Sequence, residues 1–248
     1  MTDYTIAEDY TLPSLGKVYK QDVNPNIRIR SMTTEEEMKR LGKSDRQYKL
    51  LSEIIDDCLI EKPGISAYDM CIGDYQFLLH KLRIVTYGPQ YKVGFTCPIC
   101  GSTNEKTIDL ESLDVTTYTE DMDGLLNVTL PRTKKRIRLK MQTPRMLDDI
   151  SIKAKELERK STNFKGDTAF LFTIESLIFT VDDEVLDPVR LETFVRSLPM
   201  QDVNYILKSI QKINIGVETT TTCVCERCGS DFKSLIPISG EFFGPSID

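Results

Sequence analysis

Along the chain the spacing of hydrophobic residues changes period several times, and each change marks an element. Residues 1–26 show no helical period. Pro13 and Gly16 in TLPSLGKVY disfavour a helix, so this stretch reads as extended. Ile27 and Ile29 then alternate with arginines in NIRIRSM, and Met32 continues the series, which predicts a short strand. TTEEEMKRL opens a helix. Thr33 or Thr34 can accept hydrogen bonds from free backbone N–H groups, and Glu35, Glu36 and Glu37 suit the positive end of its dipole. In SDRQYKLLSEIIDDCLIEK, residues Leu50, Leu51, Ile54, Ile55, Cys58 and Leu59 recur at spacings of three and four, the stripe of an amphipathic helix that Pro63-Gly64 ends. A further helix follows Asp74, with Phe77, Leu78, Leu82 and Val85 on its apolar side, and breaks at Gly88-Pro89.

Beyond residue 115 the alternation returns. LNVTLP and KKRIRLKM form a hairpin pattern with a turn near Pro131–Lys134. After Thr143-Pro144 the period becomes helical, predicting helices around 144–160, 167–180, 188–198 and 201–213. Pro188 after Asp187 suits a first helical turn. INIGVETTTT reads as a strand. The fold class is therefore α+β. The expected layout is an extended arm and helical domain over 1–92, a cysteine knuckle over 93–114, a hairpin-and-helices domain over 115–216, and a second knuckle with a tail over 217–248.

Composition narrows the function classes. The chain has 248 residues, 40% hydrophobic and 28% charged, as expected of a folded protein and not of a disordered one. Its net charge of −6 makes it a poor general nucleic-acid binder, because phosphate neutralisation needs a cationic surface. No apolar run approaches the ~18 residues of a membrane helix, and AFLFTIESLIFTV carries Glu175. MTDYTIAEDY lacks the layout of an export signal, so the seven cysteines are expected in a reducing cytoplasm, where disulfides are rare.

Four of those cysteines carry the clearest chemistry. VGFTCPICG holds Cys97 and Cys100, and TTTTCVCERCG holds Cys225 and Cys228, each pair in a Cys-x-x-Cys-Gly turn among β-favouring residues. Such a turn aims two thiolates at one metal, and two turns complete a tetrahedral four-cysteine zinc ribbon. Residues 101–224 separate the pairs, which is natural if the middle domain is inserted between the knuckles. Four thiolates fill the coordination shell, so the expected zinc is structural. The alternatives are a redox-active pair or plain reduced thiols. A redox pair should open a helix, whereas GSTNEKTIDL looks like a strand. Cys223 competes with Cys225 as a ligand, but Cys225 has the better turn spacing. Cys58 and Cys71 read as core residues.

Other candidate chemistry is weak. The one histidine, His80, reads as a surface or half-buried structural residue. LGKS at 41–44 resembles the end of a phosphate-binding loop, but Glu37 stands where that loop needs glycine. No catalytic constellation emerges, and no small-molecule substrate is expected. In RTKKRIRLK six of nine residues are basic. Arg136, Arg138 and Lys140 would share one face of a strand, as a polyanion contact or as a solvated face guarding a sheet edge. With the four-cysteine site, this face supports an alternative reading as a zinc-ribbon nucleic-acid-binding protein.

Taken in order, LPSLGKVY, IRIRSMTTEEEMKRL, DYQFLLHKLRIVTYGPQYKVGFTCPIC and LPRTKKRIRLKMQTP resemble the baseplate hub protein family of T-even-type tailed phages, which includes the hub subunit and the hub-assembly protein. The resemblance is sharpest at Leu12–Tyr19, at Arg83 through Tyr87-Gly88 to Cys100, and at Leu130-Pro131. It implies a non-enzymatic protein that helps build the hub of a contractile tail in the host cytoplasm, with other tail proteins as partners and the cysteines as metal ligands. Two terminal stretches then suit partner contact: the apolar arm with Leu12, Leu15 and Tyr19, and SGEFFGPSID, whose Gly/Pro-rich character would expose Phe242 and Phe243. The alternative is that both pack on their own domain.

Overall fold

In the computed structural model, residues 6–160, 166–238 and 240–244 are described. β1 (Ala7–Thr11) and β2 (Asn26–Arg30) pair antiparallel, with Tyr10 opposite Ile27. Ile27 and Ile29 face inward and are buried, as their alternation predicts. α1 (Thr34–Arg40) starts at Thr33, which forms a capping box with Glu36. Both Nη atoms of Arg30 also donate to Glu36, at 3.2 and 2.8 Å, and hold its carboxyl at about 2; the Thr33 hydroxyl and N–H add to this against the opposing cost of burial.

α2 (Gln47–Cys58) buries Ile54, Ile55 and Cys58. It stops one residue earlier than its apolar stripe, because Leu59 opens β3 (Leu59–Glu61), where it pairs with Ile29. α3 (Ile72–Tyr87) is buried almost all round. At its start the buried Asp74 carboxylate accepts the Ser14 N–H (2.9 Å), the Ser14 hydroxyl (2.5 Å) and the Tyr19 hydroxyl (2.6 Å). Those bonds fasten the extended arm to the helix. β4 (Gln90–Thr96) and β5 (Thr103–Asp109) then form a hairpin.

The chain next leaves this lobe through β6 (Val115–Thr116) and the single turn α4 (Met122–Leu125). β7 (Asn127–Thr129) and β8 (Arg136–Leu139) make the predicted hairpin. α5 (Pro144–Lys160) and α6 (Thr168–Leu177) follow. The helix expected over 167–180 is cut short: Ile178–Val181 is β9, a third strand on β8 with Ile137 opposite Val181. α7 (Pro188–Ser197) and α8 (Met200–Gln211) complete this lobe. INIGVETTTT is two strands and not one. β10 (Gly216–Val217) pairs with β6, whereas β11 (Thr220–Val224) pairs with β12 (Asp231–Leu235).

The architecture is thus mixed α and β, with small antiparallel sheets and two hydrophobic clusters. One cluster gathers residues between Leu12 and Leu110 together with Val217 to Phe243. The other runs from Leu130 to Ile206. Specific polar contacts join them. Arg46 precedes α2 without giving it a side-chain cap. Asp148 of α5 caps it instead, accepting the N–H groups of Tyr48 (3.3 Å) and Lys49 (2.9 Å) and the Tyr68 hydroxyl (3.1 Å). Arg46 donates to Asp149 at 2.8 Å, and Arg145 is bidentate on Asp69 at 2.6 and 2.7 Å.

Asp148 is buried and Asp149 only half so, which sets their expected weights. Asp148→Ala should lower unfolding free energy by about 2 kcal/mol, since it strips a helix cap and strands the buried Tyr68 hydroxyl. Asp149→Ala should cost less than about 1 kcal/mol. Urea unfolding of both variants checks the ranking, and equal losses would refute the trans cap. Glu36 gives a pH expectation. Its folded pKa lies below the ordinary 4.5, so its stabilisation is complete above pH 4.5 and fades as pH falls towards 2. Glu36→Gln should therefore flatten the acid limb of a stability–pH curve over that window, and an unchanged limb would contradict it.

Candidate metal centre

Two hairpins end in the same turn. In the first, β4 leads into Cys97-Pro98-Ile99-Cys100-Gly101-Ser102, where Cys97 N–H donates to the Ser102 carbonyl (2.8 Å) and Gly101 N–H to the Cys97 carbonyl (2.9 Å). In the second, β11 leads into Cys225-Glu226-Arg227-Cys228-Gly229-Ser230, with the same two bonds at 3.0 and 2.8 Å. Gly101 and Gly229 have φ of +71° and +72°, a left-handed conformation that a side chain would strain, so glycine after the second cysteine is a backbone requirement.

The turns face each other. The sulfur atoms of Cys97, Cys100, Cys225 and Cys228 all lie within 4.8 Å of one another. The recorded approaches cross between turns, Cys97 to Cys228 at 3.8 Å and Cys100 to Cys225 at 3.6 Å. These distances are far beyond a disulfide bond. Cys97 and Cys225 are buried while Cys228 is exposed, so the cluster sits at the surface of the first lobe. Four sulfur donors on preformed turns can hold a metal ion. Cys223, the alternative ligand, lies outside the group and is buried in the core, opposite Phe232.

Thiol environment separates Cys225 from the core cysteines Cys58 and Cys71. The Ser102 hydroxyl, 3.1 Å from Cys225, leads the hydrogen bonds that bring that thiol down to about 5, the direction a metal-binding sulfur needs. Burial pushes Cys58 and Cys71 up to about 12, which leaves both as inert core thiols. The strand after the first turn, where a redox pair would need a helix, agrees.

The surroundings of the cluster hold residues that spacing alone does not single out. Asn104 is buried between the turns. Its Nδ2 donates to the Ser102 carbonyl (3.1 Å), and its Oδ1 accepts the Glu226 N–H (2.9 Å). Lys106 reaches across to Thr221 Oγ1 (3.0 Å) and the Thr222 carbonyl (2.8 Å). Ser102 and Ser230 have a signal in the sequence, since the repeat is Cys-x-x-Cys-Gly-Ser at both sites. Asn104 and Lys106 have none, because their roles come from the opposite hairpin.

A family model described as T4 bacteriophage base plate protein matches residues 4–244. The chain belongs to that family. No curated protein and no solved structure matches it. Among the described residues of this baseplate protein, no helix is long and apolar enough to cross a membrane.

The other candidate residues of the baseplate protein fall less simply. Ile137 and Leu139 are buried and Arg136 and Arg138 exposed, as the alternation predicts. Arg136 is ion-paired with Asp183 at 2.6 Å and Lys135 with Asp182 at 2.6 Å, which offsets much of the charge expected of a polyanion surface. Arg138 and the half-buried Lys140 both lie on the wall of a cleft that Arg136 does not line. The terminal segments are not free arms. Leu12 is fully buried, Tyr19 is half-buried and bonded to Asp74, and Leu15 is exposed. Phe242 and Phe243, expected on an exposed tail, are buried; Phe242 packs edge-on against His80 and Tyr91. Ser239 and Pro245–Asp248 of that tail lie outside the described residues. His80 is likewise buried, against the expectation of a surface or half-buried site. Burial lowers its pKa, and Nδ1 bonds the Gln76 carbonyl at 2.7 Å.

Asn104→Ala should cost about 1–2 kcal/mol, because it leaves the Glu226 N–H without its acceptor. Glu105→Ala next to it, whose exposed carboxylate pairs with Lys92, should cost less than about 0.5 kcal/mol. Thermal melting in a chelator-free buffer separates the two, and a null effect of Asn104→Ala would remove its bridging role.

Proposed function

We propose that this protein is a non-enzymatic component of the tail hub, or a factor that assembles the hub, and that it carries one structural zinc on Cys97, Cys100, Cys225 and Cys228. The family match over residues 4–244 supports the assembly part of the reading. Hub membership extends that match by the resemblance of Leu12–Tyr19 and of the segment from Arg83 to Cys100. Assembly would take place in the host cytoplasm, with other baseplate proteins as partners.

The sulfur geometry supports zinc. Thiolates at about 2.3 Å from zinc define a tetrahedron with an edge of about 3.8 Å. The observed cross-turn separations are 3.8 and 3.6 Å. Four thiolates leave no position for water or substrate, so such an ion is a clip and not a catalyst. In this reading residues 115–216 are an insertion between two halves of one zinc-bound unit, and metal affinity becomes folding free energy of that unit.

Elemental analysis of the purified protein should find one zinc per chain. Cys100→Ser and Cys228→Ser, one from each turn, should each abolish it together with cooperative melting. Normal melting in metal-free protein and in both variants would remove the clip. For the assembly role, the tagged chain should recover other tail proteins from infected cells, and recovery of none would defeat that part independently.

A further inference from the structure

Between the two lobes lies an open cleft of about 690 Å³ that plays no part in the cysteine centre. Lys17 and Lys20 reach it from the loop after β1, and Arg138 and Lys140 from β8 and the residue after it. None of the four makes an ion pair among the described residues. That contrasts with the neighbouring cations Lys135, Arg136 and Arg145, which are all paired. Of the two carboxylates on the cleft wall, Asp69 is already held by Arg145, which leaves Asp123. A protein of net charge −6 thus gathers at one cleft four cations without ion pairs among the described residues, against one remaining carboxylate. Burial, and then the charge of Lys20, push the Lys140 pKa down, as expected where like charges lack a counterion.

The floor is not purely polar. Phe179 is half-buried there, with Lys20 Nζ 4.5 Å and Arg138 Cζ 5.7 Å from its ring centroid. Leu126 and Leu139 also line the wall. Carboxylates flanking an apolar side chain complement this arrangement. The volume falls within the roughly 300–1,000 Å³ of ligand pockets, a size for a short segment and not for a duplex.

We infer that the cleft formed by Lys17, Lys20, Arg138, Lys140 and Phe179 binds an acidic peptide segment of a partner protein, which would bridge the two lobes. The choice of a protein segment rests on the assembly reading above, whereas anion binding in the cleft does not.

Fluorescence anisotropy of the full-length protein at low salt tests the idea, with a fluorescein-labelled Glu-Glu-Phe-Glu-Glu peptide and a labelled oligothymidylate as probes. The peptide should bind saturably. Lys20→Glu combined with Arg138→Glu should weaken it by about tenfold or more while leaving the melting midpoint unchanged. Lys17→Glu alone, on the exposed loop, should weaken it in the same direction and serves as the variant least able to disturb folding. Lys135→Ala with Arg136→Ala, outside the cleft, should leave it within about twofold. No peptide binding, or equal weakening by the outside pair, overturns the inference. Tighter binding of oligothymidylate, lost in the cleft variants, replaces the peptide by nucleic acid and also overturns it. Peptide binding that survives while infected-cell recovery finds no tail protein would leave the cleft standing and remove only the assembly reading.

Discussion

The meeting of two turns that are remote in sequence is the constraint on which the fold depends. For Cys97 and Cys100 to face Cys225 and Cys228, the chain between them must leave the first lobe after Leu110 and return to almost the same place by Val217. The return is enforced at close range. β6 and β10 pair with Thr116 opposite Gly216. Beside them the start of α3 passes so near the incoming chain that a Cβ on Gly73 would stand 2.1 Å from the Ile215 carbonyl oxygen. Only a residue without a side chain fits there, and Gly216 itself, at φ +118°, needs the same freedom. Long loops are entropically cheap to close once such a neck exists, which is why a whole lobe can hang from it.

Buried carboxylates recur as fasteners around this frame. Asp74 ties the N-terminal arm to α3, and Asp148 caps α2 from the other lobe. Asp202 accepts the N–H groups of Arg132 (2.8 Å) and Thr133 (2.9 Å) together with the Thr133 hydroxyl (2.8 Å), fixing the hairpin turn onto α8. Each offers its charge to N–H and O–H donors in place of a cation. A short side chain so placed specifies the approach of two segments to within a bond length, which apolar packing does less sharply.

How much of this is legible in the sequence depends on whether a residue's role is local. The α2 stripe, the Thr33 start of α1, the β7–β8 alternation and the repeated cysteine turns are all set by near neighbours, and each emerges from spacing. β9 and β3 do not, because IFTV and LIE follow apolar helical runs and only pairing with β8 and β2 makes them strands. INIGVETTTT hides its break for the same reason. α3 defeats an amphipathic reading because it is buried nearly all round, so His80 is wrongly assigned towards the surface. The Gly/Pro-rich setting of Phe242 suggests exposure, yet the ring fills a gap beside Tyr91 that belongs to a distant part of the chain. At the candidate metal centre the four clustered cysteines are legible, while Asn104 acts through the other hairpin and is not.

The narrow neck also governs how the molecule carries mechanical load. Both described ends of the chain pack into the first lobe, and the second lobe joins it as a side loop through the short β6–β10 pair. Tension between the two ends therefore runs through the first lobe and the paired knuckles, bypassing the second. A pull on the second lobe reaches the first through the neck and the Asp148 and Arg145 contacts.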